Sequence, residues 1–423
     1  MIFSPDNVAN IILQQKYFCN TLFFKLLFLV CGCVVSWCLR RWQNWWNIVL
    51  ACLLLMDWSG SGYRQHQSLR PPRRCTMRTP LITEIQRFCL HDGPGIRTTI
   101  FVKGCPLHCP WCHNPENIQV KQEFYFHANK CRGCGQCVGA CPSGACTLDH
   151  GDGKGTRREA THCTSCLQCV SACRFGALEV VGKAISLDSI LQEAVSDRIF
   201  YQNSGGGVTI SGGEPLLHPE FTHDLAYRLK VQENLHVAIQ TSLFAEWEAI
   251  APLLNHVDLF IVDIKSLDPE RHRQVIGGSL QTILTNLDLL LKAGAQVRIH
   301  LPIIPGINDT DLDFELYAAY LGQFADGLIG VDILPYHSYA TEKYRQLGRN
   351  YQFLGIPDLS SQQVAPLAHA LRLQGIREIT LGGMGGSTAA GKSGGYKPLE
   401  QRRDPLPRPV HLPQGKGVVV TQL

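Results

Sequence analysis

The sequence predicts an α/β fold, a partial barrel of about six βα units interrupted early by a cysteine-rich insertion. Three observations carry the prediction. From residue 208 to residue 381, short apolar runs alternate with helical patterns. Eleven cysteines fall in three tight runs between residues 105 and 173. Polar residues able to bind a ligand follow directly on several of the apolar runs. Strand and helix repeating at βα intervals make a parallel sheet with outer helices the economical architecture, and about six units fall short of a closed eight-stranded barrel.

Composition narrows the class without naming it. The chain has 423 residues, 45% hydrophobic and 17% charged, with a formal net charge of +4. That hydrophobicity excludes a disordered chain, and 39 Gly with 23 Pro in no regular period exclude collagen and coiled coil. The length excludes a small disulfide-stapled secreted module. The basic balance belongs to the ends: residues 1–76 carry +6 and residues 385–423 carry +4, whereas residues 77–384 carry -6. A folded body without a basic balance is not expected to bind nucleic acid.

Taken in chain order, residues 1–76 hold an apolar run of 14 residues at 26–39 and a shorter one at 48–56. Neither reaches the roughly 20 residues that span a bilayer. A membrane anchor or a signal segment behind Lys16 and Lys25 is one reading. The reading adopted is a dispensable extension ahead of the working protein, with no membrane partner, because the run has no amphipathic period and stops just before Met77 opens a patterned strand. Residues 77–121 then start the barrel and hold the first cysteine run, Cys105-x3-Cys109-x2-Cys112. Three thiolates without a fourth leave one iron of a 4Fe-4S cube open to another ligand. Zinc, with His108 or His113 completing the set, is the alternative.

Residues 122–182 form the insertion. Cys131-x2-Cys134-x2-Cys137-x3-Cys141-Pro142 and Cys163-x2-Cys166-x2-Cys169-x3-Cys173 write the bacterial ferredoxin signature twice, although Arg174 replaces the second proline. In that arrangement the fourth cysteine of each run serves the other cluster, so Cys131, Cys134 and Cys137 are expected with Cys173, and Cys163, Cys166 and Cys169 with Cys141. Such clusters require a reducing compartment. Cys89 and Cys146 are left over between residues 77 and 384 and read as packing residues. Residues 183–384 complete the barrel, with strands expected at 208–211, 236–240, 259–263, 297–301, 330–334 and 378–381, and helices at 219–230, 246–254, 282–292, 311–321 and 360–373. Residues 385–423, rich in Gly, Pro and Ser without period, read as a disordered tail.

The loop KGCPLHCPWCHNPE resembles that of radical S-adenosylmethionine (SAM) enzymes, and the stretch from Phe88 to Thr98, with Asp92-Gly-Pro-Gly-Ile-Arg97 inside it, resembles the entry loop of glycyl radical enzyme activating enzymes, the pyruvate formate-lyase activase group. A two-cluster insertion straight after the SAM loop is a feature of one subgroup of that family. The resemblance runs from about residue 83 to residue 383 and covers neither end.

It implies a partial (β/α)6 radical SAM barrel, three 4Fe-4S clusters and SAM. It implies that the protein cleaves SAM reductively to a 5'-deoxyadenosyl radical and takes hydrogen from a glycine of a partner glycyl radical enzyme. A flavodoxin or ferredoxin type reductant, an anaerobic setting and a cytoplasmic location go with that activity. Cys105, Cys109 and Cys112 would hold the catalytic cluster, with Trp111 beside them at the cofactor. Ser211-Gly212-Gly213-Glu214-Pro215 is similar to the segment that holds the SAM amino group. Asp263-Ile-Lys265 matches the family DxK, with Lys265 near the SAM carboxylate and Asp263 near SAM or a monovalent cation. Arg298 looks like the arginine that contacts SAM, and His337 like the histidine near the adenosine. Relatives carry an acidic residue where this chain has Gln240 before Thr241, one carboxylate fewer around a cation. The alternatives are a radical SAM enzyme acting on a small molecule or another peptide, which would not need the Asp-Gly-Pro-Gly stretch, and an iron-sulfur electron carrier, which would not need the α/β remainder.

Overall fold

The computed structural model describes residues 79–149, 155–158 and 162–383, and expectations for residues 1–76 and 385–423 lie outside them. One nine-stranded open sheet organises the barrel. Its first two strands are β1 (Leu81–Cys89) and β2 (Arg97–Val102), an antiparallel pair. The insertion follows, bracketed by the antiparallel ribbon of β3 (Glu123–Phe126) and β6 (Leu178–Val181). Between them lie α1 (Gln136–Gly139), the hairpin of β4 (Cys146–Asp149) with β5 (Gly155–Arg158), and α2 (Gln168–Ala172). The chain returns to the sheet through β7 (Lys183–Ala184), which pairs with β1, then forms α3 (Leu187–Val195) and α4 (Arg198–Ser204).

Six more strands extend the sheet from β2 in sequence order: β8 (Gly207–Gly212), β9 (Val237–Thr241), β10 (Leu259–Asp263), β11 (Val297–Ile303), β12 (Leu328–Pro335) and β13 (Ile379–Leu381). Every pairing from β2 to β13 is parallel. Parallel strands are covered on both faces, which is why these read as nearly unbroken apolar runs. The sheet stops at β13 without closing, the partial barrel that the period predicts. Helices intervene between the strands: α5 (Pro219–Tyr227), α6 (Trp247–Ile250), α7 (Leu280–Lys292), α8 (Asp311–Gly322), α9 (Thr341–Gln346) and α10 (Ser361–Leu373).

Local chemistry explains the helices. Ser279 accepts from the Thr282 amide to start α7, whose buried Ile283, Leu287 and Leu290 fall on one face at helical spacing. Thr310 with Asp313 and Ser360 with Gln363 form capping boxes that open α8 and α10. The helix expected at 246–254 has one α turn and then tightens to a 3-10 turn over Ala251–Asn255, because Pro252 offers no amide to an α ladder. Among the described residues no helix is long and apolar enough to cross a membrane.

Candidate functional site

The C-terminal ends of the parallel strands surround a cavity of about 630 Å³, within the range of small-molecule sites. Cys105, Cys109, Trp111, Cys112, Gly212, Gly213, Glu214, Asp263, Lys265 and His337 all line it. The fold thus gathers residues more than 200 positions apart in the sequence into one cavity.

The cysteine loop leaves β2 and is tied down at several points. The Gly104 amide donates to the Asn117 carbonyl at 2.8 Å and the His108 amide to the Ile276 carbonyl at 2.9 Å. Trp111, 4% exposed, meets Phe353 edge-on at 6.1 Å, and the His113 ring sits 3.9 Å from that of His337. Burial pushes the Cys105 and Cys109 thiols up to about 12. Thiols held protonated are poor nucleophiles at neutral pH but ionise on meeting a metal, so the donor set suits coordination better than covalent catalysis. The three are free of disulfides. Among the described residues no three His, Cys, Asp or Glu side chains converge as ligands of a single ion. An iron-sulfur cube is compatible with that, since each of its thiolates binds a different iron.

The glycine turn after β8 is shaped by backbone contact. The Gly213 amide donates to the Val102 carbonyl and the Glu214 amide to the Gly104 carbonyl, both at 2.8 Å. A Cβ on Gly213 would lie 2.1 Å from the Gly104 oxygen, and Gly212 has a φ of +127°. Gly213 is therefore required by the close approach of the cysteine loop, and Gly212 by its positive φ and by the backbone of β2, where a Cβ would lie 2.2 Å from the Val102 oxygen. Glu214 is an anchor. Its carboxylate accepts from Thr241 Oγ1 at 2.6 Å, from the Ser242 amide at 2.8 Å and hydroxyl at 2.6 Å, and from the Leu216 amide at 3.1 Å. Burial raises its pKa, against the pull of those donors.

On β10 and its exit, Lys265 Nζ stands 3.3 Å from Asp263 Oδ2. Burial alone would lower the Lys265 pKa, but the Asp263 carboxylate raises it, so the ammonium stays charged. Arg298 departs from expectation and does not line the cavity. Its guanidinium is paired with Asp332 of β12 through two 2.6 Å bonds, behind the cavity wall. His300, two residues on and on the same face, lines the cavity instead. Its ring lies 3.7 Å from Asp263 Oδ1 and 3.1 Å from Asp332 Oδ2. Gln240 accepts from the Ser211 hydroxyl at 3.0 Å.

Sequence reading missed a second residue. Asn117 is 1% exposed, lines the cavity, and neither its amide nitrogen nor its oxygen has a hydrogen-bond partner. Buried amides without partners are rare, so these atoms are free for a ligand. The His337 Nδ1 is in the same condition. On the other side, His91 and Asp92 line the cavity from the β1–β2 turn, where Asp92 Oδ2 accepts from Thr99 Oγ1 at 2.7 Å.

The insertion holds two further clefts. One is lined by Cys131, Cys134, Cys137 and Cys173, the other by Cys141, Cys163, Cys166 and Cys169. Each draws three cysteines from one run and the fourth from the other. Cys89 is buried and donates to the Gln86 carbonyl. Cys146 is buried too, and also lines the second cleft.

Comparison with known proteins agrees with this architecture. The radical SAM superfamily matches residues 156–315, a 4Fe-4S dicluster domain residues 130–177, and a 4Fe-4S single cluster domain residues 91–138. The chain is 52% identical to the benzylsuccinate synthase activating enzyme of Thauera aromatica over 315 residues, 73% of this chain and 95% of that protein. It is 39% identical to the choline trimethylamine-lyase activating enzyme of Oleidesulfovibrio alaskensis over 70% of this chain and 96% of that one. It is 36% identical to the pyruvate formate-lyase 2-activating enzyme of Escherichia coli, over 71% and 92% respectively.

Proposed function

The chain belongs to the glycyl radical enzyme activating enzymes, within the radical SAM superfamily, and we propose that its partner is a glycyl radical enzyme of the benzylsuccinate synthase type. It is an oxidoreductase that cleaves SAM and activates a partner enzyme by taking hydrogen from a glycine. The observation that carries the reading is the single cavity in which the three-cysteine loop meets the glycine turn and Asp263-Ile-Lys265. When bound, the iron-sulfur cluster and SAM supply the electron and the 5'-deoxyadenosyl radical that removes the hydrogen atom.

Everything else is positioning. Cys105, Cys109 and Cys112 would hold the cluster, with Trp111 of the same loop packed edge-on against Phe353. Gly212 and Gly213 present main chain to the SAM amino group, while Glu214 locks that turn to β9. The charged Lys265 faces the carboxylate of SAM, and Asp263 orients Lys265 and His300. Asn117 offers an amide donor and acceptor to the amino-acid end of SAM, and His337 offers Nδ1 to the adenosine. Arg298 acts from behind, by fixing Asp332 and through it His300. Asp92 and its loop seat the glycine segment of the partner at the cavity mouth. Cys131, Cys134, Cys137 and Cys173 hold a second cluster, and Cys141, Cys163, Cys166 and Cys169 a third. A flavodoxin or ferredoxin type reductant feeds them in the cytoplasm, and residues 77–384 suffice for the activity.

The test is anaerobic. Reconstituted and reduced protein should convert SAM to methionine and 5'-deoxyadenosine, and mixing with a glycyl radical enzyme of the benzylsuccinate synthase type should give its glycyl radical signal in electron paramagnetic resonance. Cleavage of SAM with no radical on that partner would refute the assignment of the partner, and no cleavage would refute the site.

A further inference from the structure

The two cysteine runs of the insertion are copies of one backbone design. Cys131, Cys134, Cys137 and Cys141 correspond in order to Cys163, Cys166, Cys169 and Cys173, and α1 corresponds to α2. The left-handed backbone of Gly133 and Gly135, φ 65° and 73°, recurs at Ser165 and Leu167, φ 55° and 58°, although neither of those is glycine. Wrapping the chain around the cysteines demands that conformation even of residues that resist it. Past the fourth cysteine, Pro142-Ser-Gly-Ala-Cys146 aligns with Arg174-Phe-Gly-Ala-Leu178, and Gly144 and Gly176 again share a positive φ.

This correspondence makes Cys146 the mate of Leu178. Both are 5% exposed, and each is the apolar wall of one cleft: Leu178 beside Cys131, Cys134, Cys137 and Cys173, Cys146 beside Cys141, Cys163, Cys166 and Cys169. The clefts differ elsewhere too, with Arg132 in the first where the second has Thr164, and Ser143, 3.6 Å from Cys141 Sγ, in the second where the first has Phe175; Cys146 opposite Leu178 is the buried member of these differences. The Cys146 side chain packs in one cluster with Cys169 and Cys141 and lines the cleft with them, two of its four ligand cysteines. Leu178 has nothing to donate.

We infer that Cys146 tunes the second of the two insertion clusters: its thiol donates a hydrogen bond to a ligand sulfur and holds that cluster at a more positive potential than a leucine in its place would. The inference rests on the reading that the insertion carries two clusters. The physical reason is general. Reduction adds negative charge to the cluster and its thiolates, and a donor aimed at those sulfurs stabilises the reduced form, even when the donor is a weak S–H. Cys146 is not needed as a ligand, since the cleft has four other cysteines. The asymmetry also has a direction. The second cleft includes Gln122, whose amide donates to the Gly182 carbonyl at 2.8 Å where the insertion joins the barrel, while the first includes Phe126 at the far end of β3. The cluster that the thiol makes easier to reduce is therefore the one on the barrel side, where an electron entering through the outer cluster arrives.

The experiment compares the full-length reconstituted protein with Cys146→Leu, Leu178→Cys and Cys146→Ser, measuring iron content and following redox titration by electron paramagnetic resonance. Cys146→Leu should keep its iron and move the midpoint of one insertion cluster to a more negative potential, leaving the other in place. Leu178→Cys should move the other cluster to a more positive potential. Cys146→Ser, which keeps a donor in the same place, should stay close to the parent. Full iron with unmoved midpoints in Cys146→Leu and Leu178→Cys would overturn the inference. So would loss of iron from Cys146→Leu while Cys141→Ala retains it, which would make Cys146 a ligand. Parent protein with iron for only one insertion cluster would instead defeat the two-cluster reading.

Discussion

Asn117 shows how a side chain is singled out by the bonds it fails to make. Its carbonyl holds the root of the cysteine loop through Gly104, but its amide is buried at the cavity wall with both ends unpaired. Leaving a buried polar group unsatisfied costs about 1–3 kcal/mol, while a hydrogen bond to a charged partner contributes about 1.5–3 kcal/mol. Replacing Asn117 with the similarly sized Leu should therefore leave the folded protein as stable as the parent or more so in urea unfolding. The same change should raise the KM for SAM about ten- to a hundredfold, as expected for losing about 1.4–2.8 kcal/mol of ligand contact. A variant that is destabilised with an unchanged KM would make Asn117 merely structural. Nothing in the sequence around Asn117 marks it, because its role depends on which neighbours are absent. Arg298 teaches the converse. On a strand it shares a face with His300, but it sits two residues further from the C-terminal end of β11 where the cavity lies, and its guanidinium is taken up by the carboxylate of Asp332 on the next strand.

At the scale of elements, the glycine turn and the cysteine loop form one unit. Gly213 faces the Gly104 carbonyl so closely that a methyl group would sit 2.1 Å from its oxygen and 2.5 Å from that of Asn117. Both are backbone atoms, so the loop would have to move. Gly213→Ala should displace the loop by about an ångström and lower the rate of 5'-deoxyadenosine formation about a hundredfold, the usual cost of such a misplacement. Iron bound by the insertion should be unaffected, because its cysteines lie on the far side of β3. Much of this level was legible in advance. The strands of the barrel appear as apolar runs because a parallel sheet buries both faces, and the cysteine runs declare themselves by spacing. The short helix α9 was not legible. Its one buried residue, Tyr344, gives no periodicity, and its position is set by Lys343, which donates to Asn114 at 2.9 Å and Glu116 at 2.6 Å beyond the cysteine loop.

Across the whole molecule, the question is how the insertion is held against the barrel. Glu123, at the start of β3 and 4% exposed, accepts from Lys103 Nζ at 2.9 Å and from Arg349 Nη2 at 2.7 Å. Lys103 follows directly on β2, just before the cysteine loop, and is itself 1% exposed; burial lowers its pKa and Glu123 opposes that shift. One carboxylate thus joins the strand that opens the insertion, the root of the cysteine loop and the segment after α9. Removing one partner of a buried ion pair typically costs about 3–5 kcal/mol, because the other charge is left uncompensated. Glu123→Gln should lose stability on that scale in denaturant unfolding and should speed hydrogen exchange in β3 and β6 more than in β9 to β12. A functional difference should follow from the loosened junction. Dithionite is small enough to reduce a cluster wherever it lies, whereas a protein reductant docked on the insertion depends on a fixed path into the barrel. SAM cleavage by Glu123→Gln should therefore fall further with a flavodoxin or ferredoxin type donor than with dithionite. An equal fall with both donors would mean that Glu123 serves stability alone.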